Sequence, residues 1–162
     1  MASSLDKVSK GKIKKPHLIL LYGPEGMGKS TFAAGSSNPI FLGPESGTYN
    51  LDVSRLEAKT WEELKAQIND LIKENHDYKT VVFDTLDWIE PLIYSSICRE
   101  HKVNSIEKAA GGYGKGYTEA WNQFRDLIAM CNVLRETKLM SVIFLAHSKV
   151  VDFNDPTTET PY

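Results

Sequence analysis

Eight consecutive residues near the start of the sequence have the types and spacing of a phosphate-binding loop. They run from Gly23 to Ser30 and read Gly-Pro-Glu-Gly-Met-Gly-Lys-Ser, which satisfies the pattern GxxxxGK[ST]. Glycines at these positions let successive backbone N–H groups point at one anion, and a following helix adds partial positive charge. We expect Lys29 to reach the β- and γ-phosphates of a nucleotide. The predicted nucleotide-binding residues are Gly23, Pro24, Glu25, Gly26, Met27, Gly28, Lys29, Ser30 and Thr31.

A carboxylate suited to the same chemistry stands at Asp84. It follows Thr80-Val81-Val82-Phe83, a β-branched and aromatic run that is typical of a buried strand. An acid at the end of such a strand is where P-loop enzymes hold Mg²⁺, whose other protein ligand is the loop hydroxyl. The sequence therefore predicts Ser30 and Asp84 as metal ligands, with ATP and Mg²⁺ as the cofactors.

The base that activates water must lie away from Asp84, because Thr85 follows it and a hydroxyl is no base at neutral pH. Glu45 is the best candidate, since it comes just after a predicted strand and the carboxyl ends of parallel strands share one edge. Asp87 and Glu90 are the alternatives, and Glu45 as an ordinary loop acid stays open.

His147 ends the last apolar run, Ser141 to Ala146, and is expected at the same edge. A donor there senses the γ-phosphate and passes its presence to the following segment. A surface histidine without a role is the alternative.

Short apolar runs alternate with amphipathic segments along the chain. The runs at 17–22, 39–42, 80–83 and 141–146 are predicted strands, the first of them buried on both faces. One predicted helix begins at Thr60, with Glu63 completing a capping box, and a second spans 88–101. A third carries Trp121, Phe124, Ile128, Cys131 and Leu134 toward the core. This alternation predicts the α/β class, a P-loop NTPase three-layer sandwich with a mostly parallel sheet.

Composition limits the partners of the chain. With 162 residues, 41% hydrophobic and 25% charged, it is expected to form one globular domain and not a disordered or collagen-like chain. The net charge of −2 excludes a global positive field, so any nucleic-acid contact must be local. No apolar run approaches a membrane span, and no secretory signal follows the first charges. A cytoplasmic protein without membrane contact is predicted.

Three ranges divide the sequence. Residues 1–16 contain five lysines and one aspartate, a net charge of +4, and are expected to be a flexible basic arm. A solvated tail and a phosphate-contacting arm both stay open for it. Residues 17–150 form the predicted nucleotide-binding domain, and 151–162 a polar flexible tail. Within the domain, a loop rich in glycine is expected between Lys102 and Tyr117.

The order of these motifs resembles the RecA-like recombination ATPases, in particular the phage-encoded ATP-binding proteins of the single-strand-annealing type. Gly23–Ser30, Glu45, Val82–Thr85 and Ile143–His147 carry the resemblance, over roughly residues 17–150. It implies ATP hydrolysis coupled to single-stranded DNA binding in recombination or annealing, in rings or filaments, in the host cytoplasm. It also implies catalytic roles for Lys29, for Glu45 as the residue that activates water, and for His147 as the phosphate sensor.

The same resemblance places DNA binding at residues 102–117 and 148–162. Lys102, Lys108 and Lys115 are expected to contact phosphates, while Tyr113 and Tyr117 stack on bases. A mobile lid without DNA contact is the alternative. Family members continue past the sensor strand, so a RecA-like core shortened at its C-terminal end is expected.

Two other functions stay open. A small nucleotide or metabolite kinase would clamp its phosphates with several arginines, whereas Arg55, Arg99, Arg125 and Arg135 are scattered along the sequence. A non-catalytic scaffold that ATP merely orders is the third possibility.

Overall fold

The centre of the structure, a computed structural model that describes residues 4–8, 10–12, 15–44 and 48–149, is a parallel sheet. Its five strands are β1 (Leu18–Gly23), β2 (Pro39–Gly43), β3 (Ser54–Glu57), β4 (Thr80–Phe83) and β5 (Ser141–His147). They lie in the order β1-β5-β4-β2-β3, and every neighbouring pair is parallel. The predicted α/β class and parallel sheet are confirmed.

Helices cover both faces of the sheet. Helix α1 (Lys29–Ala34) packs on one face, and α2 (Trp61–Lys73), α3 (Leu86–Glu100) and α4 (Lys115–Thr137) pack on the other. Successive strand residues alternate between the two cores, as strand geometry requires. Val81 and Phe83 of β4 face the three long helices, while Val82 between them faces α1. The result is the expected three-layer sandwich.

The strand order brings the chemistry-bearing residues to one edge. Strand β5 lies between β1 and β4, and Gly23 at the end of β1 pairs in register with His147 at the end of β5. Asp84 follows the last residue of the neighbouring β4. We call the edge formed by residues 23–30, 84–87 and 147 the phosphate edge.

Local signals set the start of α2 as the sequence predicts. The Thr60 hydroxyl accepts a hydrogen bond from the Glu63 N–H at 3.1 Å. In return the Glu63 carboxylate accepts from the N–H of Lys59, one residue before the cap, at 2.7 Å. This variant of the capping box satisfies two donors that a helix end would leave free.

Two expectations about the strands are wrong. The sequence predicts four strands, but Ser54-Arg55-Leu56-Glu57 forms a fifth at the sheet edge. This segment contains no apolar run from which a strand could be predicted. Strand β1 is not buried on both faces, because it forms the opposite edge. Its residues Leu18, Leu20 and Tyr22 are 41%, 57% and 67% exposed.

The region before and along α4 also differs from expectation. Residues Ile106–Gly111 form a 3₁₀ helix that is kinked at Ala109 and Ala110. Ile106 and Ala109 are buried in the core, so this part of the predicted loop is packed against the domain. Trp121 and Ile128 do not face the core and are 61% and 40% exposed. The buried face of α4 is instead lined by Gly116, Ala120, Leu127, Cys131 and Leu134. Small residues early in that face let α4 approach the 3₁₀ helix closely.

The N-terminal basic arm is partly described. It contains a 3₁₀ turn over Ser4–Lys7, and its end is held where the Arg135 guanidinium donates two hydrogen bonds to the Pro16 carbonyl. The predicted tail, 151–162, lies outside the described residues. Within the described part of the chain, no helix combines the length and apolarity that crossing a membrane requires.

Candidate functional site

An open cavity of about 310 Å³, which we call the phosphate cavity, lies at the phosphate edge. Its walls come from the loop after β1, the start of α1, the turn before β3, the residues after β4 and the end of β5. The lining residues are Glu25, Gly26, Gly28, Lys29, Ser30, Thr31, Asn50, Leu51, Asp84, Thr85 and His147. Most of the predicted phosphate loop is thus brought together with Asp84 and His147.

Lys29 is the positive charge of this cavity. Its side chain is unusually buried for a lysine, with the residue 7% exposed, and its Nζ donates to the carbonyls of Gly23 and Pro24, each at 2.9 Å. Gly26 and Gly28 have φ of +78° and +89°, which a side chain would disfavour. The loop therefore folds around the ammonium group of Lys29, which lines the cavity.

Ser30 and Asp84, which are 54 positions apart in sequence, meet directly. The Ser30 hydroxyl donates to Oδ2 of Asp84 at 2.8 Å. Asp84 is 6% exposed, and this burial raises the pKa of its carboxyl. The hydrogen bond from Ser30 and the charges of His147 and Lys29 offset that rise only in part. A hydroxyl and a carboxylate oxygen side by side are a donor set that Mg²⁺ accepts, so the predicted ligands fit the metal.

The backbone behind Asp84 is fixed by β2. The Asp84 N–H donates to the Leu42 carbonyl at 3.1 Å. Gly43 has a φ of +152°, and a Cβ there would stand 2.4 Å from the Asp84 carbonyl oxygen. No sequence motif marks Gly43, yet its lack of a side chain lets β2 approach Asp84.

Residues 15–162 match a family model described as an AAA domain, AAA_24. The chain belongs to this AAA family. The match identifies a P-loop ATPase, which agrees with the geometry of Lys29, Ser30 and Asp84. No curated protein matches the chain.

Three further residues line the cavity of this AAA domain without having been predicted. Asn50 and Leu51 come from the turn that precedes β3. Thr85 is 2% exposed, and its hydroxyl has no hydrogen-bond partner among the described residues. Its peptide bond with Asp84 is cis. Asn and Leu in a turn carry no distinctive spacing, so only the fold shows their place.

His147 lies where the sequence places it, and its partner is Asp87. Oδ2 of Asp87 accepts from the His147 N–H at 2.8 Å and lies 3.2 Å from Nδ1 of the ring. Burial favours a raised pKa for Asp87, but hydrogen bonds from the backbone of His147 and of Asp87 itself, with the nearby ring, lower it. Neither of the alternative bases, Asp87 and Glu90, lines the cavity. Asp87 bonds His147, and the Glu90 carboxylate accepts from the Tyr94 hydroxyl.

Glu45, the predicted water-activating residue, lies outside the described residues, as do Ser46 and Gly47. Its role stays a prediction.

The residues predicted to bind DNA do not line the phosphate cavity of the AAA domain. Lys102, Lys108 and Lys115 are exposed, and Tyr113 is fully exposed at the tip between the 3₁₀ helix and α4. Tyr117 is 44% exposed and meets the Tyr94 ring edge-on, with centroids 5.9 Å apart. We call residues 102–117, which contain these side chains, the glycine-rich segment.

Proposed function

We propose that this AAA domain hydrolyses ATP with Mg²⁺ and that single-stranded DNA stimulates the reaction. The observation that carries the hydrolytic part is the hydrogen bond between Ser30 and Asp84, in the same cavity as the buried Lys29. Together these groups supply a cation for phosphates and two oxygen ligands for a metal.

Each group has a distinct task. Hydrogen bonds to the carbonyls of Gly23 and Pro24 hold the Lys29 ammonium in position before a nucleotide binds. When ATP binds, phosphate oxygens replace these carbonyls as its partners. Ser30 and Asp84 would hold Mg²⁺, which supplies charge neutralisation when bound. Thr85 offers a buried hydroxyl beside them. His147 is placed to donate to the γ-phosphate.

Glu45 is the base in this proposal. It follows β2, whose carboxyl end meets Asp84 through Gly43 and Leu42. Glu45→Gln is expected to bind ATP normally and to lose hydrolysis, because an amide cannot take a proton from water.

The arginines disfavour a nucleotide or metabolite kinase. Arg55 donates to the carbonyls of Thr48 and Leu51, Arg99 pairs with Glu62, and Arg135 holds Pro16. None of the arginines lines the phosphate cavity in the described part of the chain. A second polyphosphate would therefore lack the clamp that such enzymes use.

The exposed groups of the glycine-rich segment support the DNA part of the proposal. Tyr113 is free to stack on a base, and Lys108 and Lys115 present their ammonium groups to solvent. A role in phage-type recombination or annealing, with assembly into rings or filaments, is proposed on the motif resemblance.

The test is phosphate release from ATP by the full chain, with and without an oligothymidylate. We expect release that requires Mg²⁺, rises with DNA and disappears in Lys29→Ala. If phosphate release does not change with DNA and the chain does not bind DNA at low salt, the DNA part of the proposal is wrong and the ATPase part stands.

A further inference from the structure

We propose that Arg55 is a positioning residue that fixes the turn of residues 48–51, and that this turn contacts the nucleoside part of a bound nucleotide. The inference rests on the proposed nucleotide binding in the phosphate cavity, and it adds which wall of the cavity meets the base and ribose. Arg55 itself does not line the cavity and acts only through the turn.

The turn differs in chemistry from the rest of the phosphate cavity. Lys29 supplies an ammonium group for phosphates, and Ser30 and Asp84 supply a pair of oxygens for a metal. The turn adds Asn50 and Leu51 to the wall, and neither side chain carries a charge. An amide both donates and accepts hydrogen bonds, and leucine offers an apolar contact. These two side chains therefore fit an uncharged base and ribose better than a phosphate chain.

Strand β3 holds the turn through the guanidinium of Arg55. Its Nη2 donates to the Thr48 carbonyl at 3.0 Å and to the Leu51 carbonyl at 2.7 Å, so one nitrogen joins the first residue of the turn to the last. Nε is buried and has no partner in the described part of the chain, so Nη2 makes the connection. Hydrogen bonds from a charged donor are stronger than those between neutral groups.

Further contacts keep the turn on β3 while leaving Asn50 free. The Tyr49 hydroxyl donates to Oε1 of Glu57 at 2.6 Å, and the Arg55 guanidinium lies 5.5 Å from the centre of the Tyr49 ring. Within the turn, the Leu51 N–H donates to the Thr48 carbonyl at 2.9 Å. Asn50 is exposed, and its amide has no hydrogen-bond partner among the described residues. That amide is therefore available to a ligand.

A turn fixed in this way does not have to be ordered when a nucleotide binds. Ordering side chains and loops on binding costs free energy, which lowers the affinity. Without the guanidinium, the carbonyls of Thr48 and Leu51 lose their charged donor, and the wall that carries Asn50 is held less firmly. The phosphate loop and Asp84 are held by other contacts, so the loss should fall on the nucleoside.

The test compares how the full chain binds a non-hydrolysable ATP analogue and tripolyphosphate, which is the phosphate chain without the nucleoside. Both ligands are titrated with Mg²⁺ in a calorimeter. Arg55→Met keeps a long side chain but removes the donors. It is expected to weaken binding of the ATP analogue about 10-fold and to change binding of tripolyphosphate less than about twofold.

Arg135→Met is the matched control. Arg135 also donates two hydrogen bonds from its guanidinium to a backbone carbonyl, that of Pro16, and it does not line the phosphate cavity. Both affinities of this variant should equal those of the natural chain. Lys29→Ala should instead weaken both ligands, because it removes a contact to the phosphates.

Asn50→Ala tests the wall without changing Arg55. Because Asn50 is exposed, this variant should fold like the natural chain. Its affinity for the ATP analogue should fall about threefold to 10-fold, the usual contribution of one hydrogen bond, while tripolyphosphate binding stays the same.

Equal losses for the two ligands in Arg55→Met would overturn the proposal, as would an equal loss in Arg135→Met. Unchanged binding of the ATP analogue in Arg55→Met or in Asn50→Ala would overturn it as well. If urea denaturation shows that Arg55→Met does not fold, Asn50→Ala decides. These measurements need no turnover, so a natural chain that binds ATP but releases no phosphate would refute the proposed hydrolysis and leave this test intact.

Discussion

The phosphate edge and the glycine-rich segment are both polar, but they differ in what holds their side chains. Lys29 and Asp84 are 7% and 6% exposed, and each has hydrogen-bond partners within 3 Å. Tyr113 is fully exposed, and the ammonium of Lys108 has its contact with Asn104 at a long 3.4 Å. The protein itself holds the side chains of the first region in place before any ligand binds, whereas Tyr113 and Lys108 in the second region extend into solvent.

Both regions nevertheless depend on a glycine pressed against backbone. Gly43 lies against the Asp84 carbonyl, and a Cβ on Gly116 would stand 2.0 Å from the Ile106 carbonyl oxygen. The difference between the regions therefore lies in their side chains and not in how tightly their backbones pack.

Lys29→Ala gives the largest expected effect. Removing the one lysine that lines the phosphate cavity among the described residues should lower hydrolysis about 100-fold or more, since a preorganised charge is lost. Binding of a fluorescent ATP analogue, measured by anisotropy, should weaken as well. Lys73→Ala, at the exposed end of α2, is the control and should match the natural chain. Equal nucleotide binding in Lys29→Ala would contradict the account.

The paired variants Gly43→Ala and Gly116→Ala sharpen the comparison. Each forces a Cβ against a carbonyl oxygen, so each should cost about 1–3 kcal/mol in the free energy of unfolding. Urea denaturation measures that loss. We expect hydrolysis to fall beyond the loss of folded protein only in Gly43→Ala, because it alone displaces Asp84. Similar residual activity in both variants would show that Gly43 serves stability only.

Tyr113→Ala should separate binding from stability. The ring is fully exposed, so the unfolding free energy should change by less than about 0.5 kcal/mol. Affinity for oligothymidylate should fall by about 1–3 kcal/mol, the usual contribution of one stacked base. Lys115→Ala should instead reduce the slope of log affinity against log salt by about 1. DNA affinity that is unchanged in both would remove this segment from the interface.

The smallest expected effect is a gain in stability on Asp84→Asn. Burial raises the pKa of the carboxyl in the folded chain, so the charged form opposes folding above that pKa. At pH 7 the variant should melt at a higher Tm than the natural chain. The difference in Tm between the two proteins should narrow as the pH falls through the raised pKa, because the protonated Asp84 carboxyl no longer opposes folding of the natural chain. A lower Tm for Asp84→Asn at pH 7 would contradict the burial argument.

Features encoded locally could be predicted from the sequence. The phosphate loop, the Asp84 carboxylate after its strand and the Thr60 cap of α2 each depend on residues within a few positions of one another. Strand alternation with helices likewise sufficed for the parallel sheet, since crossovers between parallel strands leave few alternatives. The match to AAA domains agrees with that prediction.

Features made by distant segments could not be predicted. Gly43 lies against Asp84 because β2 meets the end of β4, and Asp87 bonds His147, 60 positions later, because α3 meets the end of β5. The exposure of Leu20 and Trp121 follows from the edge position of β1 and from the face that α4 turns inward. Periodicity shows that a helix has an apolar side, but the packing of its smallest residues decides which side is buried.

Phosphate release from ATP by the full chain, compared with Asp84→Asn across a titration of Mg²⁺, tests the central claim most directly. The account predicts release that rises with Mg²⁺ in the natural chain and is about 100-fold lower or absent in Asp84→Asn, which still binds ATP. Equal release by the two proteins at saturating Mg²⁺ would show that the Ser30 and Asp84 pair is not the metal-binding part of the site.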